Sequence, residues 1–264
     1  MARTRRWVID PSLGHGRWEV RLSSWKWFHD FVRQEMLDYT QYVWRGHRCD
    51  DWRLEPALDR ELAGKTAATR DRLIGEHLVD FQYAVRGRRG SNPPRLEDEN
   101  DWWALGQHNG LLTPLLDWTT PPFAALYFAF AQNRTPQTPK RAVFALSRST
   151  VARRSTELAA AHTGPGRPPV IEFVRPFSDE NARLVNQGGL FTRSPAGVTI
   201  EDWASEHIDE NYRRGSLIRI TIPNAGRDEC LRTLNRMNIN HLTLFPDLYG
   251  ASAFCNMRLR IARY

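Results

Sequence analysis

QHNGLLTPLLDWTTPPFAALYFAF, from Gln107 to Phe130, changes character three times. A helix-like run ends at His108-Asn109-Gly110, an apolar run follows from Leu111 to Leu116, and Asp117-Trp118-Thr119-Thr120 leads into Pro121-Pro122 and a second apolar-striped run. The order reads as helix, strand, helix. Thr120 is expected to be the N-cap of the second helix and Pro121 its first residue, where a missing N–H costs nothing. Phe123, Leu126, Tyr127 and Phe130 then recur at i, i+3, i+4 and i+7, the spacing of one buried helix face. The strand would deliver Asp117, Thr119 and Thr120 to a helix N-terminus, where unpaired N–H groups and the dipole favour an anion such as phosphate.

Upstream, Ser24 to Asp38 places Trp27, Phe28, Phe31 and Val32 at helical spacing, Tyr42 to Gly46 reads as a short strand, and residues 54–83 alternate at a helical period. Glu97 to His108 is the helix entering the opening stretch. Downstream, Ala142–Leu146, Val170–Val174, Leu184–Thr192, Leu217–Ile222 and His241–Phe245 read as strands, with helices at Arg227–Met237 and from Tyr249. Thr135–Lys140 and Thr163–Pro169 read as loops. Helices before strands is an α+β order rather than regular alternation. Residues 1–39 form a lead-in and helix, and residues 40–264 a single domain.

Composition narrows the classes. The chain has 264 residues, 41% hydrophobic and 25% charged, ordinary for a globular protein with a sizeable core. Cys49, Cys230 and Cys255 are odd in number and widely spaced, which argues against a disulfide framework or a close-spaced zinc site and fits a reducing cytoplasm. No apolar run is long enough to span a bilayer and the N-terminus lacks a signal-peptide core, so no membrane partner is expected. The formal charge of +7 comes mostly from arginine, suited to bidentate phosphate recognition, with a uniformly arginine-rich composition as the bland reading. The densest basic segment, Arg86, Arg88, Arg89 and Arg95, sits around Gly90-Ser91-Asn92-Pro93-Pro94 and is either a nucleic-acid contact or a solvated loop.

Phosphate-binding P-loop, dinucleotide glycine, zinc-protease and nucleophile-elbow signatures are all absent from the sequence. A site would have to be assembled from scattered polar residues on strand ends. Arg45-Gly46 is its best second piece, because an arginine closing an apolar strand must pair with something and a glycine lets a ligand approach the backbone. A structural salt bridge to an acid such as Asp117 is the competing reading of Arg45.

Three segments together resemble the FRG domain family: Trp44-Arg45-Gly46; Gln107 to Thr119 with Ala125-Leu126-Tyr127-Phe128-Ala129; and Gln187-Gly188-Gly189-Leu190-Phe191. The chain departs from the family pattern at Leu112 and Pro114, where proline and arginine are expected. That pattern is in turn similar to the ADP-ribosyltransferase fold, and the resemblance implies an ADP-ribosyltransferase-like split sheet with a helical N-terminal half. It implies NAD as substrate, no metal, and Arg45, Gly46, Thr119, Thr120 and Tyr127 as the NAD-binding residues, Tyr127 or a nearby tryptophan stacking on nicotinamide. Gln187 falls where that fold carries its catalytic glutamate. Asp117, Glu172 or Asp247 would supply the missing carboxylate, with Asp117 favoured, and His108 would orient the motif or relay a proton. Bland readings stand beside these: core for Tyr127, a helix-end dipole partner for His108, a turn cap for Asp117. Basic balance and aromatic surplus favour RNA or DNA as acceptor, in a toxin or anti-phage defence role that an antitoxin or chaperone would restrain. A non-catalytic nucleotide- or nucleic-acid-binding module is the alternative.

Overall fold

A computed structural model of the chain describes residues 5–96, 98–133, 136–176, 182–212 and 215–264. Two strands open it, β1 (Trp7–Asp10) and β2 (Arg17–Leu22), followed by α1 (Trp27–Phe31), which runs into a π-helical turn at Val32–Met36. Next come β3 (Tyr42–His47), α2 (Ala57–Glu61), α3 (Ala67–Ala84), α4 (Glu99–His108), β4 (Leu115–Thr119) and α5 (Pro122–Ala131). The second half contains β5 (Lys140–Ser147), α6 (Arg148–Ala161), β6 (Glu172–Val174), α7 (Ala182–Asn186), β7 (Gly189–Arg193) and α8 (Ile200–His207). It closes with β8 (Leu217–Pro223), α9 (Arg227–Arg236), α10 (His241–Leu244) and α11 (Leu248–Arg260).

The eight strands make one mixed sheet in the order β1-β2-β8-β5-β3-β4-β7-β6, so the fold is α+β. Only β2 and β8 run parallel; every other neighbouring pair is antiparallel. The sheet is nearly divided. β3 pairs with β5 along its whole length and β4 with β7 along its whole length, but β3 and β4 meet only at Trp44 opposite Thr119. Five strands thus stand on one side of a fork and three on the other.

Side chains alternate across a strand, so β3 serves two cores at once. Trp44 packs with Phe28 and Phe31 of α1, most of α5, and Leu231 and Leu234 of α9. Val43 packs on the opposite face with Phe144, Trp118, Val151 of α6 and Trp203 of α8. A third core lies under the three-stranded side, where Leu58, Ile74, Leu78 and Trp103 from α2, α3 and α4 meet Leu115 and Phe191. The 1–39 stretch contributes two strands to the sheet and aromatic residues to the first core.

Several expectations change. Helices are not concentrated in the N-terminal half: α6 to α11 all lie beyond residue 147. The apolar run from Leu111 does not enter the sheet until Leu115, and Asp117 to Thr119 are part of the strand rather than a polar segment after it. Leu184–Thr192 divides into α7 and β7 because a turn at Gln187-Gly188 intervenes, Gln187 N–H returning to the Arg183 carbonyl. In place of the strand expected over His241–Phe245, His241–Leu244 is helical, nucleated by an Asn240/Thr243 capping box. Glu97 and Thr135, placed at the edges of an expected helix and loop, lie outside the described residues.

Helix α5 also starts one residue later than expected. Pro121 is its N-cap and Pro122 its first residue, with no side-chain cap, while the Thr120 hydroxyl donates to the Gly188 carbonyl at 3.2 Å. The Thr120 N–H donates to the same carbonyl, at 2.9 Å. The start of α5 is therefore stitched to the turn before β7. Its other end is capped by arginine: Arg141 donates to Ala129 O at 2.5 Å, and Arg227 donates to Phe130 O and Ala131 O, both at 3.0 Å. Cations on orphan carbonyls at a helix C-terminus also complement the dipole.

Candidate functional site

Where β3 and β4 diverge, the ladder no longer satisfies the Asp117 carbonyl. Arg45, the residue after the single pairing point, takes over: its Nη1 donates to Asp117 O at 2.7 Å and lies 3.5 Å from the Asp117 carboxylate. The Arg45 Nε donates to His47 Nε2 at 2.8 Å. His47 can accept there only as the Nδ1–H tautomer, which gives Nδ1 a proton to donate to Trp52 O at 3.3 Å. Burial and the adjacent Arg45 push the His47 pKa down to about 3, so the imidazole is neutral. Burial likewise draws the Arg45 pKa down, and Asp117 opposes it. Guanidinium remains the charged form.

Asp117 is held from its other side. Gln107 Nε2 donates to Asp117 Oδ2 at 2.9 Å, and the Thr113 hydroxyl donates to Gln107 Oε1. A continuous chain of hydrogen bonds therefore runs from Trp52 through His47, Arg45, Asp117 and Gln107 to Thr113. It fixes the carboxylate while leaving more than half of the Asp117 side chain exposed. Among the described residues Arg45 Nη2 makes no hydrogen bond, so one face of the guanidinium stays available to an anion.

The fork opens into a cavity of about 620 Å³, within the size range of small-molecule clefts. Arg45, Gly46, Asp117 and Thr119 of the sheet line it together with Gln187 from the turn before β7. Phe128, His241, Phe245 and Tyr249 supply an aromatic wall, and Asn256 and Arg260 of α11 add polar lining. His241 and Phe245 stack with centroids 5.3 Å apart, and Phe245 meets Tyr249 edge-on at 5.5 Å. Gln187 is anchored at both ends: its Nε2 donates to Leu244 O at 3.1 Å and its own carbonyl accepts from the Thr119 hydroxyl.

The other expected site residues lie elsewhere. Tyr127 is wholly buried and its hydroxyl meets His241 Nδ1, so its ring has no face for nicotinamide. Thr120 and the start of α5 do not border the cavity, and the cavity lies by the opposite end of that helix. The anion site expected at that helix start is filled by the Gly188 turn. Gly46 does allow a close approach, but by α5: a Cβ there would come within 2.0 Å of Ala125 O. His108 is half-buried and off the cavity; one step along the helix is a rotation of about 100°, and it is Gln107 that reaches Asp117. Glu172 bonds Arg167 and Asn100 on β6, and Asp247 caps α11 and pairs with Arg183. Of the three candidate carboxylates only Asp117 borders the cavity.

Arg86, Arg88, Arg89 and Arg95 of the basic loop do not line it either. Arg88 donates to Ala84 O at the end of α3 and Arg89 to Pro94 O within the loop, while Arg86 lies over Tyr83 and Arg89 over Trp102. Arg86, Arg88 and Arg95 are exposed.

His47 and Gln107 were missed as site residues. Period-two reading of β3 would have put His47 on the same face as Arg45. No periodicity or motif marks His241, Asn256 or Arg260, which join the site through the packing of α10 and α11. The FRG domain family matches the chain over residues 40–138, a span that includes β3, β4 and α5 with Phe128, but not Gln187, His241, Phe245 or Tyr249. No curated protein and no solved structure matches the chain.

Proposed function

We propose that the protein is an NAD-dependent ADP-ribosyltransferase whose acceptor is a base of RNA or DNA, acting as a toxin or in anti-phage defence. The observation that supports this reading is the convergence of three separated sequence segments, through Arg45, Asp117 with Thr119, and Gln187, on one cavity with an aromatic wall. In this reading the NAD diphosphate bridges Arg45 Nη2 and Arg260, rather than the start of α5. The heterocycles lie against Phe128, Phe245 and Tyr249, a face-to-ring arrangement favourable for flat aromatic groups. The bond from ribose C1′ to nicotinamide breaks with its electron pair leaving on nicotinamide, and the acceptor's nucleophile bonds to C1′. Asp117, already fixed by Arg45 and Gln107, stabilises the positive ribose or receives the acceptor's proton.

The nucleic-acid acceptor rests on the charge of +7 and on the exposed arginines around Arg95. Incubation of purified protein with NAD labelled in its adenylate, followed by separation of RNA, DNA and protein, tests it. Label in a nucleic-acid pool, lost in Asp117→Asn, is the expected result; absence of label from every pool removes the enzyme reading. A non-catalytic nucleotide-binding module is favoured by one observation, that the third motif position carries an amide, Gln187, whose nitrogen is engaged by the Leu244 carbonyl. NAD binding without transfer selects that reading.

A further inference from the structure

We infer that His241 is a ligand-contacting residue of the cavity, held by Tyr127 as the Nε2–H tautomer so that it presents a hydrogen-bond donor to an acceptor oxygen of the bound dinucleotide. This rests on the dinucleotide reading of the cavity given above.

The imidazole is fixed from several directions. The Asn240/Thr243 capping box sets the start of α10 immediately before it. Phe245 stacks on one ring face at 21° between planes, and Tyr249 meets the ring edge-on. Gly250 brings α11 against α10 so closely that a Cβ would lie 1.9 Å from Phe245 O and 2.7 Å from His241 O. The Tyr127 hydroxyl meets Nδ1 from the core side. Burial raises the Tyr127 pKa far above its ordinary value, so this hydroxyl keeps its proton. Burial also lowers the His241 pKa, which favours the neutral ring. With the phenol as donor to the Nδ1 lone pair, the imidazole hydrogen is left on Nε2. Nε2 makes no hydrogen bond among the described residues, and His241 borders the cavity whereas Tyr127 does not.

The chemical consequence is specific. A histidine whose Nδ1 lone pair is taken up and whose Nε2 carries a hydrogen is a donor and not a general base. That leaves proton removal to Asp117 across the cavity. The charged and titratable groups around the pair are Tyr249 from α11, Arg183 from α7 across the Phe245 ring, Tyr264 and Arg227 acting on Tyr127, and Arg45, Asp117 and Arg260 on the facing walls. Tyr127 is a positioning residue, because it acts only through His241.

Nitrogen-15 imidazole NMR and calorimetric NAD titration of the full chain test this together. Ligand-free protein at pH 7 should show His241 as the Nε2–H tautomer, and NAD should shift that nitrogen. His241→Ala should weaken NAD binding about tenfold, with part restored in His241→Gln, and Tyr127→Phe should weaken it about threefold. Tyr127→Phe should also shift His241 from the Nε2–H toward the Nδ1–H tautomer, a change that loss of core packing alone does not produce. An Nδ1–H tautomer in the ligand-free protein overturns the inference. So does NAD bound with undiminished affinity by a folded His241→Ala protein. If wild-type protein itself binds no NAD, the dinucleotide reading falls and the ligand contact with it, whereas the ligand-free tautomer separately decides the Tyr127–His241 pairing.

Discussion

At the scale of single residues, Arg45 carries two tasks. It closes a gap in the sheet by donating to the Asp117 backbone, and it sets a cation at the cavity wall. Its planar fork reaches both targets because His47 takes Nε from behind. Lysine has neither the second nitrogen nor the plane, so Arg45→Lys should lose NAD binding by calorimetry although charge is retained. His47 leaves a signature in stability. Its pKa falls from 6.5 in the unfolded chain to about 3 in the fold, so between those values the unfolded state holds the extra proton. Stability therefore falls as pH drops from 6.5 toward 3, with a slope of up to about 1.4 kcal/mol per pH unit from this residue. His207 and His241, also lowered by burial, add to the same trend. His47→Gln can still accept from Arg45 and cannot be charged; urea unfolding between pH 4.5 and 7 should show a visibly flatter dependence in that variant.

At the scale of elements, α5 explains why the central motif is so dense. The helix must cross β3 at Gly46, be stitched at its start to the Gly188 turn, and have its last carbonyls met by Arg141 and Arg227. Gly46→Ala puts a methyl into the α5 backbone and should cost upwards of about 3 kcal/mol in denaturant unfolding, or prevent folding. Thr120→Val should cost only about 1 kcal/mol, the worth of one hydrogen bond to Gly188, and leave NAD binding unchanged. Thr119→Val removes the tie to the Gln187 carbonyl inside the cavity and should lower both stability and NAD affinity. Much of this element scale was legible beforehand: β3, β5, β8, α4, α5 and α9 follow from period and punctuation. The start of α5 was not, because threonine before proline fits a cap equally well in sequence, and only the neighbouring Gly188 carbonyl shows where the hydroxyl goes. The aromatic wall was invisible for a different reason. Apart from Phe128 of α5, its residues owe their place to α10 and α11 packing against the cavity, a long-range event that leaves no local pattern.

At the scale of the whole molecule, β1 and β2 extend the sheet beyond β8 and cover a core that includes Val20 and Leu22. Removal of residues 1–22 exposes the β8 edge and part of that core, and should turn soluble protein into aggregate, read by sedimentation of the expressed chain. None of Arg86, Arg88 and Arg95 lines the cavity, so Arg86→Ala/Arg88→Ala/Arg95→Ala should reduce nucleic-acid retention and its salt dependence while NAD affinity stays the same.

The fork in the sheet has a consequence for how the molecule comes apart. Backbone amides exchange with solvent deuterium in contiguous cooperative blocks, and the block boundary falls where few hydrogen bonds cross. Here one residue pair, Trp44 with Thr119, and the Arg45 guanidinium are what join the five-stranded and three-stranded sides within the sheet. Amides of β4, β6 and β7 should therefore open together at a lower free energy than those of β2, β3, β5 and β8, and a ligand gripping Arg45 and Asp117 at once would fuse the two blocks into one exchange class.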